Sequence, residues 1–210
     1  MPLGTISALW TYPIKALAPR AHRRVLVESA GLAGDRERAL FVDTPAHRRF
    51  GKTLRGKENA LLHTAADLER GVMIAGVGGA DVTLSEPARY FDAAPVSIVL
   101  DRWVHECERL AGVPIDVQRF RPNVVITADS AFTLSEAETI GATIAIGAVE
   151  LRVVDSIVRC LTPAYDLITG ETDAAILRAV ANDRKNIVGI YAEVVHPGEI
   201  ALDDPVELTQ

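Results

Sequence analysis

Cysteine is scarce in this chain of 210 residues, since only Cys107 and Cys160 are present. Two cysteines cannot form the disulfide framework that small secreted domains need, so nothing in the sequence requires an oxidising compartment. Aromatic residues make up only 5% of the chain, and no basic helix accompanies them. Both features argue against nucleic acid as a partner.

Long apolar runs are also missing. No stretch reaches the roughly 20 apolar residues of a membrane-spanning helix, and the first residues lack a basic region before their apolar positions. We therefore expect a cytoplasmic protein that has no membrane partner.

Familiar catalytic and metal-binding motifs are absent as well. The sequence contains no zinc-protease, zinc-finger, P-loop or G-x-S-x-G motif. Its five histidines lack the close spacing of a zinc site. A thiol hydrolase built on Cys160, a histidine and an acid has no local signature to support it.

The residues that are present describe an ordinary globular protein with an uneven charge. Hydrophobic residues make up 49% and charged residues 24%, and the length suits one sizeable domain or two small ones. Residues 1–60 hold eleven Lys or Arg and five Asp or Glu, so this segment carries +6 and the remainder −12. A basic segment in an acidic protein suggests an anionic ligand, although a solvated basic surface is the plainer alternative.

Short apolar stretches separated by turns predict mainly strands. We predict strands at residues 6–12, 24–28, 39–42, 97–100, 124–127, 143–146, 187–196 and 205–208, and overlapping strand signals at residues 149–154 and 151–158. A helix is expected over residues 102–111, capped by Asp101 and ended by Gly112, and another over residues 173–182. We interpret residues 47–57 as a polar surface connection and residues 76–79 as a hairpin turn.

This pattern lacks the alternation of strands and helices that marks a doubly wound sheet. It predicts a mainly β protein with a few helices, built as an antiparallel or mixed β-barrel. Prolines in residues 86–95 suggest a seam between two parts of the chain.

Cys160 is the residue around which a site can be built. It follows the predicted strand at residues 151–158, stands next to Arg159 and precedes the strand-breaking pair Thr162-Pro163. A neighbouring guanidinium favours an ionised sulfur, which suits a metal ligand or a nucleophile. A small buried hydrophobe is the alternative, and it is the better interpretation for Cys107, which falls on the apolar face of its helix.

Cationic and polar residues recur near the ends of other predicted strands. They are Lys15, Arg36, Arg121 with Asn123, and Arg159 beside Cys160. Arginine offers paired donors to a phosphate, and lysine offers a point charge. Together they describe a site where one thiolate approaches a phosphorylated ligand, and a soft thiolate also suits a metal–sulfur centre.

At this point the sequence resembles a known family, that of the MOSC domain, named for the C-terminal domain of molybdenum cofactor sulfurase. The resemblance runs through nearly the whole chain. It rests on residues 12–15 (Tyr-Pro-Ile-Lys), Gly31-Leu32 through Asp35-Arg36, residues 119–123 (Arg-Phe-Arg-Pro-Asn), Arg159-Cys160 through Thr169-Gly170, and residues 189–191 (Gly-Ile-Tyr). It implies an N-terminal MOSC β-barrel part over residues 1–90 and a MOSC core over residues 91–210.

The resemblance also implies a cofactor, molybdenum bound to molybdopterin. Cys160 would be the thiolate ligand of the metal, as in the family's reductases. The pterin and its phosphate would be held by Lys15, Arg36, Arg121 and Asn123, with Arg159 and Tyr191 lining the site. Asp166 matches a family acid after the cysteine and is expected near the site without an assigned role.

Two departures from the family pattern are visible. Ala16 follows the lysine where the reductases often have serine, and Leu100-Asp101 replaces a Thr/Ser pair, so that an acid would face the phosphate. The sequence also shows no iron–sulfur segment and no pyridoxal-phosphate domain. We therefore expect electrons or sulfur to come from another protein, an electron donor or a cysteine desulfurase.

Three functions stay open at this stage. The first is a molybdenum-dependent oxidoreductase that reduces N-hydroxylated or related small-molecule substrates. The second is a sulfur carrier in cofactor maturation, with a persulfide on Cys160. The third is a protein that binds or stores the cofactor without turnover.

Overall fold

A closed sheet forms the centre of the molecule in the computed structural model, which describes residues 1–55 and 58–209. The end of the predicted 47–57 connection, at Gly56 and Lys57, lies outside the described residues. The strands that the structure describes are β1 (Pro2–Thr11), β2 (Ile14–Lys15), β3 (Arg20–His22), β4 (Arg24–Glu28), β5 (Gly31–Leu32), β6 (Arg38–Val42), β7 (Val82–Leu84), β8 (Val96–Leu100), β9 (Val124–Ala128), β10 (Thr143–Ile146), β11 (Val149–Val158), β12 (Ile187–His196), β13 (Gly198–Ala201) and β14 (Pro205–Thr209).

Helices are few. In the described ranges they are α1 (Ala65–Glu69), α2 (Asp101–Ala111) and α3 (Ala174–Arg178), with a π-helical turn at Ala179–Asp183 after α3. Short 3-10 turns occur at Glu58–Leu62, Val77–Gly79, Val117–Phe120, Ala137–Thr139 and Thr162–Ala164. None of the three α-helices has the length and apolar character needed to cross a bilayer.

Seven strands close into a barrel in the order β14-β10-β11-β12-β8-β9-β1, because β1 also pairs with β14. All neighbours are antiparallel except β8 and β9, which are parallel. The interior is filled by alternating apolar residues of these strands, such as Ile98, Ile126 and Leu151. The predicted mainly β, mixed barrel with a few helices is confirmed.

The parallel pair needs a crossover, and α2 supplies it between β8 and β9. Its buried face consists of Trp103, Val104 and Cys107, which confirms that Cys107 lies on the apolar face of the helix. Gly112 ends the helix in the left-handed conformation, with φ 72°. Asp101 is the first helical residue rather than the cap before it, and its carboxylate accepts hydrogen bonds from the backbone N–H groups of Arg102 and Ala128.

Two small sheets lie beside the barrel, β13-β4-β5 and β2-β6-β7. The second sheet has its own apolar cluster, which includes Leu17, Leu40 and Leu54. The boundary between residues 1–90 and 91–210 stays a prediction. The N-terminal strand β1 is nevertheless part of the barrel itself, between β9 and β14.

Two local predictions need correction. Residues 76–79 are not a hairpin turn, because α1 lies before them and β7 pairs with the distant β6. The α-helix predicted over residues 173–182 stops at Arg178, and the chain continues as a π-helical turn. Asp173 does cap this helix, since its carboxylate accepts from the N–H groups of Ala175 and Ile176.

Candidate functional site

A cavity of about 580 Å³ lies among residues from the barrel strands and the small sheets. Cavities of roughly 300–1,000 Å³ hold small molecules and cofactors in proteins. Seven cationic side chains of the described residues line it, against one carboxylate, Asp92. The cations are Lys15, Arg36, Arg49, Arg55, Arg119, Arg121 and Arg159. This imbalance favours an anionic ligand.

Six of the seven site residues named from the sequence line this cavity: Lys15, Arg36, Arg121, Arg159, Cys160 and Tyr191. They come from positions as distant as 15 and 191, so only the folded chain brings them together. The seventh, Asn123, is fully buried and lies behind the cavity wall.

Cys160 stands just after β11, and its side chain is exposed. The sulfur lies 3.1 Å from the hydroxyl of Thr162 and accepts the backbone N–H of Thr162 at 3.5 Å. The strand ends at Val158, as predicted, and a 3-10 turn that contains Pro163 follows at Thr162–Ala164. The buried-hydrophobe interpretation of Cys160 is therefore wrong, whereas it is confirmed for Cys107, which has no exposed surface.

Arg159 is fixed by backbone carbonyls rather than by an acid. Its Nε and Nη1 donate to the carbonyl oxygens of Val188 and Phe120, both at 2.6 Å. Burial lowers the pKa of this guanidinium to about 10. Its Nη2 is buried and has no hydrogen-bond partner among the described residues. An unused buried donor of this kind costs free energy unless a ligand accepts from it.

Tyr12 organises two of the arginines. The guanidinium carbons of Arg36 and Arg121 lie 4.7 and 4.2 Å from the centre of its ring, which is cation–π distance. The phenol is buried and donates to the carbonyl of Pro122 at 3.1 Å. Burial raises the pKa of Tyr12 to about 12, so the ring stays neutral between two cations.

The surroundings of Arg36 and Arg121 shift the pKa values of the two guanidinium groups in opposite directions. Burial opposes the charge of Arg36, but the adjacent Asp35 and then Tyr12 hold its pKa above the ordinary value. Arg121 pairs with no described acid; it donates to the carbonyl of Leu17 at 2.6 Å, and burial lowers its pKa to about 10. Arg121 is therefore the member of the pair that gains most from a bound anion.

Asn123 joins three neighbouring barrel strands. Its side-chain oxygen accepts from the hydroxyl and the N–H of Ser97 on β8 and from Arg36, and its amide donates to the carbonyl of Trp10 on β1. With no exposed surface it positions Ser97 and Arg36, both of which line the cavity. Ser97 was not identified from the sequence, because it lies inside an apolar strand.

Lys15 and Tyr191 complete the set named from the sequence. The Lys15 ammonium pairs with the exposed carboxylate of Asp92 at 2.5 Å, so a bound anion would compete with Asp92 for it. Tyr191 on β12 lies opposite Ser97 on β8. Burial and then Asp92 raise the pKa of the Tyr191 phenol, which therefore stays protonated and able to donate.

Arg119 also lines the cavity, although the sequence gave it no role. It donates to the carboxylate of Asp166 at 2.6 Å and to the carbonyl of Ala164 at 3.2 Å. Asp166 is not part of the lining but stands next to it, and its other oxygen accepts the N–H groups of Ile168 and Thr169. Asp166 thus ties the loop after Cys160 to the cavity wall.

Part of the predicted surface connection at residues 47–57 belongs to the site. Arg49, Thr53, Leu54 and Arg55 line the cavity, so the interpretation as a purely surface segment is wrong. The chain returns to the small sheet here, because Thr53 bridges Phe41 of β6 and Leu54 is buried in its apolar cluster. The charge of +6 in residues 1–60 was the signal that pointed to this region.

The two departures from the family pattern have different outcomes. Ala16 lines the cavity, in the left-handed conformation with φ 78°. Leu100 is fully buried, and Asp101 is the first residue of α2, where its carboxylate accepts backbone N–H groups. Neither is among the cavity-lining residues that the structure describes. The expected conflict between Asp101 and a phosphate is therefore absent.

The side chains around the cavity suit an anionic cofactor whose own atoms supply most of the ligands of its metal. In the described part of the chain, no three His, Cys, Asp or Glu side chains come together as a metal site. One exposed thiol, a cationic lining and the unpartnered Nη2 of Arg159 instead suit a phosphorylated, sulfur-rich cofactor. Cys160 would contribute the protein's sulfur, and the cationic side chains would hold the anionic parts.

Comparisons with known proteins show which family and which solved structures the chain is similar to. A family model described as the MOSC domain matches residues 85–207, more than half of the chain. The crystal structure of the YuaD protein from Bacillus subtilis is similar, with TM-score 0.61 and 18% identity, covering 99% of this chain and 96% of that chain. The crystal structure of YiiM from Escherichia coli gives TM-score 0.48 and 13% identity over 98% of this chain and 70% of that chain. No curated protein matches the sequence.

Proposed function

The chain belongs to the MOSC domain family, and from this premise we propose that it binds molybdenum–molybdopterin and reduces N-hydroxylated or related N-oxygenated compounds. The family is associated with binding of the molybdenum cofactor. The observation that carries the proposal is the exposed Cys160 on the wall of a cavity that, among the described residues, is lined by seven cations and one acid.

When bound, the cofactor supplies two-electron redox chemistry at its metal. The residues of this chain hold and orient it. Cys160 offers one thiolate, which the hydroxyl and N–H of Thr162 keep in place. Arg121, Arg36 and Lys15 would neutralise its phosphate, and Nη2 of Arg159, which has no partner among the described residues, would be available to donate to its anionic part.

Proton supply is a further task for the protein, because removing oxygen from a substrate as water consumes protons. Tyr191 lines the cavity as a neutral phenol and can donate a hydrogen bond to a bound substrate. Electrons are proposed to come from a separate donor protein.

Molybdenum quantification tests the proposal. Protein made in a host that synthesises the cofactor should hold close to one molybdenum per chain, and Cys160→Ser should lose most of the metal together with benzamidoxime reduction. Cys107→Ala is the matched control, because Cys107 is buried away from the cavity and its loss should leave the molybdenum content unchanged. Equal molybdenum and equal activity in Cys160→Ser would contradict the proposal.

A sulfur carrier is the second candidate, favoured by the exposure of Cys160 and its hydrogen bonds with Thr162, which suit an anionic persulfide. Mass spectrometry after incubation with a cysteine desulfurase separates the two functions. A carrier gains the mass of one sulfur atom on Cys160 and turns over no amidoxime. An unmodified Cys160 in a protein that retains molybdenum excludes the carrier.

A further inference from the structure

Residues 48–55 bring a second group of arginines to the cavity. Arg49 and Arg55 line it together with Thr53, and Arg48 is close enough to Arg49 to repel its charge. None of the three arginines has an ion-pair partner among the side chains that the structure describes, which do not include those of residues 56–59 and 77. This differs from Lys15, Arg36 and Arg119, each of which pairs with an aspartate.

Arg49 carries an unused donor. Its Nη2 donates to the carbonyl of Thr53 at 2.7 Å, whereas its Nε is buried and has no hydrogen-bond partner among the described residues. Burial, and then repulsion from Arg55 and Arg48, lowers the pKa of Arg49. An oxyanion would relieve the repulsion and accept from the free Nε, because paired guanidinium donors match the geometry of carboxylate and phosphate.

The arginines of the two groups, Arg36 and Arg121 on one side and Arg55 on the other, differ in their exposure to solvent. Arg36 and Arg121 are half-buried and stacked on the buried Tyr12, which suits a resident cofactor. Arg55 is exposed to solvent, as is Cys160. A molecule that enters and leaves with each turnover meets the exposed Arg55, and the half-buried Arg49 lines the same cavity.

We propose that Arg49 and Arg55 form a second anion subsite, which binds a carboxylate or phosphate of the small-molecule substrate. The proposal rests on the proposed function and narrows it, because the preferred substrates are then N-oxygenated compounds that also carry an oxyanion. The inner group, Lys15, Arg36 and Arg121, remains the phosphate site of the cofactor.

Direct binding tests this without relying on turnover. Benzamidoxime and 4-carboxybenzamidoxime are titrated calorimetrically into the 210-residue protein, whose molybdenum content is measured beforehand. We expect the carboxylated probe to bind at least about tenfold more tightly, since a charge-assisted pair is worth that much. Arg49→Gln and Arg55→Gln should remove this preference, because they weaken binding of the carboxylated probe at least about tenfold more than binding of benzamidoxime.

Lys52→Gln is the matched control, because it removes the same charge from the same segment at an exposed residue outside the cavity lining. It should keep the preference. Wild-type protein without any preference, or a preference that persists in both arginine variants, overturns the subsite. Loss of molybdenum in those variants also overturns it, by assigning the segment to a second phosphate of an extended cofactor.

The two proposals fail separately. A protein that never retains molybdenum but keeps an arginine-dependent preference for the carboxylated probe supports the subsite and contradicts the proposal that the protein binds the molybdenum cofactor. A protein that holds molybdenum at Cys160 but binds the two probes equally supports the proposed cofactor and contradicts the subsite.

Discussion

At the scale of the residue, Tyr12 is the clearest example of a side chain that acts by positioning others. Tyr12→Phe removes only the hydrogen bond to Pro122, so we expect about 1 kcal/mol of destabilisation and unchanged molybdenum content. Tyr12→Leu also removes the ring that supports Arg36 and Arg121, each contact being worth about 0.5–2 kcal/mol. Its molybdenum content should fall.

Denaturant unfolding and metal analysis of the two Tyr12 variants check this together. If Tyr12→Leu binds as much molybdenum as Tyr12→Phe, the ring does not hold the arginines in their binding positions.

Asp166 offers a test based on pH. The N–H groups of Thr169 and Ile168, and then Arg119, hold the pKa of this carboxyl below its ordinary value. A lowered folded pKa means that the stabilisation is present above the unfolded pKa of about 3.9 and disappears as the pH falls through the folded value. At pH 7, Asp166→Asn should therefore be less stable than the wild type.

The difference in unfolding free energy between Asp166→Asn and the wild type should shrink as the pH is lowered through about 4 and below. Urea titrations at several pH values measure it. A difference that stays constant down to pH 3 would show that the carboxylate charge contributes nothing to the loop.

At the scale of the element, β12 depends on Gly189. A Cβ there would lie 2.7 Å from the carbonyl oxygen of Ile98, 2.8 Å from Val99 and 2.9 Å from Nη2 of Arg159, and φ is +89°. Gly189→Ala should destabilise the protein by about 2–5 kcal/mol through overpacking and strain. It should also displace Arg159 and lower cofactor binding.

Gly147→Ala is the matched control, because Gly147 also has positive φ, at +57°, but nothing lies within 4 Å of an added Cβ. We expect a cost of only about 1–2 kcal/mol, from the left-handed conformation alone. Thermal or denaturant unfolding of both variants measures the contrast, and equal losses would refute the crowding argument.

At the scale of the whole molecule, the two cysteines report on different processes. Cys160 is exposed, whereas Cys107 has no exposed surface, and burial raises the pKa of its thiol to about 11. A thiol reagent should therefore modify one cysteine in the native protein and the second only when α2 separates from the barrel. Labelling followed by peptide mass analysis checks this. Simultaneous reaction of both thiols in native protein would contradict the packing of α2.

The uneven distribution of charge along the chain is also explained only by the whole fold. Residues 1–60 carry +6, but from the sequence this could equally be a solvated basic surface. Folding places Lys15, Arg36, Arg49 and Arg55 of that segment around one cavity with Arg119, Arg121 and Arg159 from the acidic remainder. The positive potential is thereby concentrated where an anion can bind.

The sequence by itself determined the seven strands of the barrel, the position of Cys160 after a strand end, and the buried place of Cys107, whereas the short strands β2, β3, β5, β7 and β13 were not predicted. The features that it determined depend on local properties, namely the alternation of apolar residues, proline as a strand breaker and the apolar face of a helix. Six of the seven predicted site residues were found on the cavity because the resemblance to a known family carried long-range information.

Only the tertiary structure decided what lies around those residues. Contacts between distant positions fix the burial of Asn123, the stacking on Tyr12, the π-helical turn after Arg178 and the inclusion of Arg49 and Arg55 in the cavity. A local pattern of polar and apolar residues cannot distinguish a cation on the surface from one that faces a cavity. That difference is made when the barrel closes and its strand ends meet the small sheets.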